Sequence, residues 1–338
     1  MAQTLSSDGH KMRAQFWLRR AADVAPTPAL RARAARDFGF VRKTNPLSVN
    51  LSFGITPSSN VNNAPRDNTI VLGGLVFTDP SAVPISGVEV RSDVALRYTL
   101  NQSQTWRNFV GLRWSEAHVI FTDNDVPAGV RASDYAFRRI EATVGRDFTR
   151  GPEAPRQSVS ASFGRLWAGG DALADEFSLA WSQSYARPDN RRFTWSASVG
   201  YSDRKDNALR SGVTADLAAR WLQPLGSGSV LAWDAALGRT VTDSKAVTRS
   251  TAGFGVQYHH AAPILGGKGQ LALASSLSDY DDPLYGPDAR QDFKTTLSAS
   301  LLMVNFDTYG FAPKLTVEAS KTSSNINRFE TQNFGIRL

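Results

Sequence analysis

From residue 47 to the last residue, apolar and polar positions alternate with a period of two, which is the signature of strands with one apolar face. The pattern is clearest in Phe193, Trp195, Ala197, Val199 and Tyr201, interleaved with Thr194, Ser196, Ser198 and Gly200. It recurs in Val213, Ala215, Leu217, Ala219 and Trp221, set against Thr214, Asp216, Ala218 and Arg220. Fourteen such runs follow one another, from 47–56, 87–100 and 104–115 to 292–304, 311–321 and 328–338. Each is of the order of 11 to 14 residues, enough for a strand tilted by about 45° to cross a hydrocarbon layer and roughly twice the ordinary strand length. Residues 309–338 carry two of them. Phe311, Leu315, Val317 and Ala319 alternate with Lys314, Thr316, Glu318 and Ser320, and the chain then ends on Phe334, Ile336 and Leu338. An apolar residue at the end of a strand suits a barrel whose last strand closes against its first. The predicted fold is an all-β transmembrane barrel of about 14 antiparallel strands.

Only residues 10–40 depart from this pattern. Phe16, Ala21, Leu30, Ala32, Ala34 and Ala35 stand among arginines at helical spacing, and Pro26-Thr27-Pro28 divides the segment in two. The expected organisation is a short basic helical segment over 1–44 and an outer-membrane barrel over 45–338. An even strand count leaves both ends on one side, the periplasmic one, where the helices would lie beside the barrel mouth. The connections on that side (NQSQ, ARPDN, QPLGSG and NFDTYG among them) are short and rich in Gly, Pro or Asn. The first two connections on the other side, 57–87 and 116–134, are long. Trp114, Trp181, Trp195 and Trp221 are expected in interfacial girdles.

Composition narrows the alternatives. A pure apolar run such as 301–304 is only four residues, far short of the roughly 18 that a spanning helix needs. The net charge of +7 reads at first as a nucleic-acid signal. Residues 1–43, however, hold nine Lys/Arg against three Asp/Glu, which leaves 29 against 28 in the remainder, so the strand region is balanced and no nucleic-acid partner is expected. The chain has no Cys, which removes disulfide and thiolate-metal chemistry. MAQTLSSDGHKM lacks an apolar export signal, which leaves three readings: a sequence that begins after processing, one that begins downstream of the true start, or a protein that is not exported; the strand pattern favours the first two.

Covalent chemistry has little to work with. Four His are present, at 10, 118, 259 and 260. His118 with Asp123 or Asp125 at an outer strand end is the one acid-base combination a barrel hydrolase would use, and loop spacing alone does not support it. His259 and His260 are adjacent, hence on opposite faces, and Asp279, Asp281 and Asp282 read as a solvated loop rather than a calcium site. No catalytic residue, cofactor or metal is expected. The polar positions placed in the lumen are Arg97, Arg113, Arg139, Glu141, Asp216, Arg220, Lys314 and Glu318. They form either ion pairs that hold the barrel round or a wall that a passing substrate touches. A barrel of 14 strands stands between side-chain-filled and open ones, so a narrow or plugged pore is expected.

Two segments resemble each other: residues 53–65, FGITPSSNVNNAP, after the first run, and residues 317–329, VEASKTSSNINRF, between the last two. Each contains Ser-Ser-Asn, then Val or Ile, then Asn. In a closed barrel these motifs, Ser59, Asn60 and Asn62 with Ser324, Asn325 and Asn327, would lie near each other at the outer rim. The pair, with GFAPKLTVEASKTSSNIN before a terminal strand, resembles the barrel domain of the surface lipoprotein assembly modifier family over residues 45–338. That resemblance implies a 14-stranded outer-membrane barrel behind periplasmic tetratricopeptide helices. It also implies a role in the translocation or surface display of lipoproteins or secreted proteins, with membrane lipid, the barrel assembly machinery and a protein cargo as partners. The chain departs from the family in carrying about one helix pair where a full helical module is expected; its terminal residue is Leu338, where barrel proteins commonly have Phe. The alternatives from the residues are a passive channel for small solutes and an adhesive barrel that uses its long loops.

Overall fold

The computed structural model describes residues 2–66, 68–72, 75–79, 82–123, 125–151, 154–281, 288–307 and 311–338; Asp282 and the first two residues of the 309–338 stretch named above lie outside these. The alternating runs form one closed antiparallel barrel of 14 strands. They are β1 (Leu47–Ser58), β4 (Gly87–Gln102), β5 (Trp106–Phe121), β6 (Phe137–Phe148), β7 (Arg156–Ala168), β8 (Asp171–Ala186), β9 (Arg192–Arg204), β10 (Gly212–Pro224), β11 (Val230–Thr242), β12 (Arg249–Ile264), β13 (Gly267–Tyr280), β14 (Gln291–Leu302), β15 (Lys314–Ser324) and β16 (Thr331–Arg337). Each strand pairs with its sequence neighbours, and β16 pairs with β1 to close the ring. A two-stranded ribbon, β2 (Thr69–Leu72) with β3 (Leu75–Thr78), projects from the first long connection.

The alternation is resolved as a wall with two faces. Leu51, Phe53, Leu217, Leu237 and Leu297 point outward and are more than half exposed, as side chains that meet lipid must be. The outward apolar stretch is bounded by charge: on β6 Arg138 and Arg146 flank Ile140, Ala142 and Val144. Eight residues at about 3.3 Å each make roughly 26 Å along a tilted strand. At the short-turn end an aromatic belt forms. Trp181 meets Trp195 edge-on at 4.6 Å, and Phe193 lies between Tyr185 at 6.3 Å and Trp221 at 6.2 Å. Trp114 is not part of it. It pairs with Val94 and Ile140 halfway along β5, because the strand runs on through Glu116 and His118 to Phe121.

At the opposite end the outward side chains are ion-paired above the apolar band. Arg138 contacts Glu116 at 2.6 Å, Arg165 contacts Asp175 at 2.6 Å, Lys205 bridges Asp175 and Asp203 at 3.2 and 2.5 Å, and Arg239 contacts Asp281 at 2.5 Å. The connections at this end are uneven: long after β1 and β5, but a tight turn between β7 and β8, where Gly169 and Gly170 hold φ of 60° and 96°. Glycine adopts such angles without the steric penalty a Cβ brings.

The helical region is a pair plus one further short helix: α1 (Ala2–Ser7), α2 (Lys11–Asp23) and α3 (Pro28–Thr44). Thr27 caps α3 by accepting the Leu30 N–H at 3.3 Å, with Pro28 at the first turn, where its missing N–H costs nothing. Ala14, Leu18 and Val41 are buried between α2 and α3, with Leu5 and Phe38 against them. Lys11 donates to the Thr44 carbonyl at 2.6 Å, tying the start of α2 to the end of α3 where the barrel begins.

Candidate functional site

The ladder registers decide which side chains enter the lumen. Pairings from Arg97 to Gly111, Arg113 to Glu141, Arg139 to Leu166, Asp216 to Gly238, Arg220 to Asp234, Lys314 to Leu302 and Glu318 to Gly335 keep all eight expected lumen residues on the inward face. They do not form one cluster. Arg97, Arg113, Arg139 and Glu141 lie on the wall made by β4, β5 and β6. Arg220 and Asp216 are on β10, and Lys314 and Glu318 on β15 beside the seam.

The β4–β6 wall is charged and cross-linked. Arg113 pairs with Asp93 at 2.8 Å, and Asp93 also accepts the Ser115 hydroxyl at 2.5 Å. Arg139 bridges Glu141 at 2.6 Å and Glu176 of β8 at 3.0 Å. Near the short-turn end Asp147 holds Arg97 at 2.5 Å and Arg107 at 2.6 Å and accepts from Ser158 at 2.8 Å. Arg97 also stacks 3.4 Å above the ring of Phe109, an inward aromatic that is 5% exposed. The carboxylates that complete these pairs, Asp93, Asp147, Glu176 and Asp234, were not singled out above. Their signal was parity: Asp93 sits four residues from Arg97, hence on the same face.

The remaining wall, from β7 round to β14, is lined largely by small residues. Inward positions include Ser158, Ser160, Ser162 and Gly164 on β7, Ser196, Ser198 and Gly200 on β9, Gly253 and Gly255 on β12, and Ala272, Ala274 and Ser276 on β13. Charge at its middle is limited to Glu176, Asp216, Arg220 and Asp234, with Arg204, Arg249, Asp292 and Lys294 nearer the rim. Arg220 contacts Asp234 at 3.4 Å and donates to Gln257 at 2.9 Å, while Gln257 donates to Asp234 at 3.0 Å. A side chain at Gly238 would meet the Asp216 carboxylate at 2.7 Å, which places that carboxylate over the bare backbone of β11.

At the long-loop rim the two Asn motifs do similar work at separate places. Asn62 donates to the Val83 carbonyl at 2.8 Å and accepts from the Ile85 N–H at 3.0 Å; Asn325 donates to Ala289 at 2.8 Å and accepts from Gln291 at 2.8 Å. Each amide thus satisfies a carbonyl and an N–H two residues apart, as a neighbouring strand would. Asn60, buried, brackets Ala64 at 2.8 Å in both directions and reaches across the seam to the Gln332 carbonyl at 3.4 Å. Ser59 lies 3.5 Å from the Phe334 carbonyl across the same seam. Ser324 accepts from the Ile326 N–H at 3.2 Å, and Asn327 opens a short 3-10 turn. The first motif therefore clamps the seam, whereas Asn325 clamps the segment before β14.

The first connection also folds over the mouth. Asn63 and Pro65 line one cavity of about 260 Å³ with Ser276, Ser278, Lys294 and Thr322, which are inward residues of β13, β14 and β15.

The acid-base combination weighed at His118 does not assemble: its partner is Glu116 at 3.0 Å, and Asp123 accepts the Ser86 N–H at 2.7 Å instead. Asp281 is engaged by Arg239, and no cluster of metal-ligating side chains forms among the described residues.

The seam is the barrel's irregular part. β1 pairs with β4 along its full length, but with β16 only from Ser58 opposite Gly335 to Ile55, whose N–H and C=O bond Leu338 at 3.0 and 2.9 Å. Beyond it residues 51–54 face a cavity of about 1030 Å³, and residues 47–51 line the smaller cavity next to it. The larger cavity's lining includes inward Glu89, Arg91, Asp93, Arg113, Lys314 and Arg337 together with outward Leu51, Phe53, Ile55 and Leu338. It therefore runs through the wall. Phe311, which stands ahead of β15 and not within it, flanks this gap, and a neighbouring cavity lined by Phe16, Arg19, Phe38 and Leu51 joins it to the helices.

No family model matches the chain, and no curated protein sequence matches it. Among solved structures it is similar to OprB of Pseudomonas putida in its high-pH structure, with a TM-score of 0.51 at 9% identity over 89% of this chain and 96% of that one. OccK9 (OpdG) of Pseudomonas aeruginosa aligns with a TM-score of 0.44 at 10% identity over 86% and 97%. A loop-deleted OmpT, an outer membrane protein of Vibrio cholerae, aligns at 0.43 with 7% identity over 87% and 98%. At 9% identity the likeness to OprB is one of fold.

Proposed function

We propose that this chain is an outer-membrane channel that passes small hydrophilic solutes without covalent chemistry, its helices on the periplasmic side. The observation that carries the reading is the polar, small-residue inward face from β7 to β14, set inside a closed ring whose outward face is apolar. The likeness in fold to OprB supports it. Purified protein in planar bilayers should give steady conductance steps in salt solution with no protein cargo present. Protein that folds in detergent as a heat-modifiable β-rich species and yet gives no steps would overturn the channel.

A second reading, protein translocation of the kind implied by the resemblance to surface lipoprotein assembly modifiers, is favoured by one observation: the wall is open at the seam, beside the helices. Cells lacking the gene should then lose protease-accessible surface lipoproteins. An unchanged surface profile with every candidate cargo expressed would sink it.

A further inference from the structure

We propose that the open edge of β1, residues 47–54, is a strand-addition site for an extended polypeptide segment with apolar side chains on one face and a carboxylate on the other. The proposal rests on the protein-handling reading and names the chemistry of the segment.

Three observations meet there. The first is backbone. Pro46 accepts from Thr99 on the β4 side, and Ile55 exchanges both its bonds with Leu338 on the β16 side. In an antiparallel ladder these directions alternate, so Val49, Leu51 and Phe53 turn their N–H and C=O groups toward the gap. No hydrogen bond to these six groups is found among the described residues. An unpaired strand edge is a template for another strand, and in hydrocarbon every such group needs a partner. At about 3.3 Å per residue, the eight residues 47–54 leave roughly 26 Å of edge.

The second is charge. Thr316 stands opposite Arg337, and Ile55 opposite Leu338. Any strand that continues the line of β16 therefore puts its first inward side chain between Gly54 and Lys314. Lys314 and Arg337 both line the cavity, and neither has an ion-pair partner among the described residues. By contrast, Arg113 and Arg91 on the facing wall are already held by Asp93 and Glu89. A carboxylate at that inward position completes two free cations. The third is the outer face: Leu51, Phe53 and Leu338, exposed by 51%, 65% and 57%, flank the gap on the membrane side, so outward side chains of the incoming segment must be apolar.

The absence of Cys makes the test direct. In the full chain, Ser52→Cys places a thiol on the inward face of the open edge, at a position that forms a close non-hydrogen-bonded pair with an added strand. An eight-residue probe peptide that alternates Val with Glu and Ser and bears one inward Cys, activated as its thiopyridyl mixed disulfide, should form a disulfide with it by exchange, releasing thiopyridone. We expect yields at least tenfold above those with Ser198→Cys on the far wall, and above those with a peptide of the same composition in blocks. Lys in place of Glu should lower the yield several-fold, and Lys314→Gln with Arg337→Gln should erase that Glu preference. Equal yields at both Cys positions, or indifference to alternation, overturn the proposal. Disulfide-linked pairs of barrels without peptide, or a co-purified phospholipid that the peptide does not displace, assign the edge to a second copy or to lipid and overturn it as well. Conductance recorded on the same samples separates this outcome from the fate of the channel reading.

Discussion

The wall made by β4, β5 and β6 and the wall running from β7 to β14 share one backbone geometry and one outward apolar face, yet present opposite surfaces to the lumen. The first is thick with Arg–carboxylate pairs: Arg97 and Arg107 on Asp147, Arg113 on Asp93, and Arg139 on Glu141 and Glu176. The second carries fewer charges per strand, and on β7, β9, β12 and β13 it has Ser, Ala and Gly at successive inward positions. Long side chains consume lumen volume while short ones leave it. The difference therefore places free cross-section against the second wall and rigidity in the first. A shell of one residue class would give a symmetric pore; two classes give an eccentric one.

The largest effect should come from filling the second wall. A Cβ at Gly255 meets nothing closer than 3.5 Å, so Gly255→Trp is tolerated by the backbone but projects an indole into the free space. We expect single-channel conductance to fall about fivefold or more, against less than about twofold for Ala95→Trp among the charged pairs. Equal losses would abolish the distinction between the walls.

Next in size is Gly145→Ala. The added methyl would lie against the Phe109 ring and 2.7 Å from the Val159 carbonyl, displacing the aromatic on which Arg97 rests. Overpacking of this kind costs about 1–3 kcal/mol, read as a lower heat-modification midpoint on the gel.

Arg139→Ala sharpens the comparison from the other side, since it leaves Glu141 and Glu176 facing each other without their shared cation. These groups are partly exposed, so the expected loss is about 1–2 kcal/mol. Ala at Asp216, which has no ion-pair partner among the described residues, should leave the midpoint unchanged within about 0.5 kcal/mol.

The smallest effect concerns the rim. Arg204 holds the Asp206 carboxyl below its ordinary value by a side-chain hydrogen bond, and Arg239 does the same for Asp281. A carboxylate with a depressed folded pKa adds its stability fully above the unfolded value of about 4 and loses it as pH falls through the folded one. Limited proteolysis of the connections after β9 and β13 should accelerate modestly below about pH 4 and stay flat between pH 6 and 8.

The strands were legible because each has one face in lipid and one in water, so period two survives in nearly every run. Parity alone placed Arg97, Arg113, Arg139 and Lys314 inward, but could not say which carboxylate each would meet. Arg97 finds Asp147 on β6, 50 residues away in sequence, through a strand register that local pattern does not encode. The ribbon of β2 and β3 was hidden inside a connection read as a loop, although a Gly-Gly between two short apolar runs, TIVL and LVFT, is a hairpin signal. The gap at the seam was illegible for a different reason. The alternation of residues 47–56 is complete, and only the stagger between first and last strands shows that two thirds of the β1 edge goes unpaired.

The tight turn at Gly169 and Gly170 bears on how molecules arrive. With long segments standing after β1 and β5 and almost none between β7 and β8, the rim is uneven, and that turn is a low sill among the described residues. That sill belongs to the second wall. On the channel reading proposed above, a solute that approaches along the membrane surface from the β7–β8 side meets the sill before a long loop. Its capture rate should then depend on the approach direction, and an epitope grafted into that turn should slow entry without narrowing the pore.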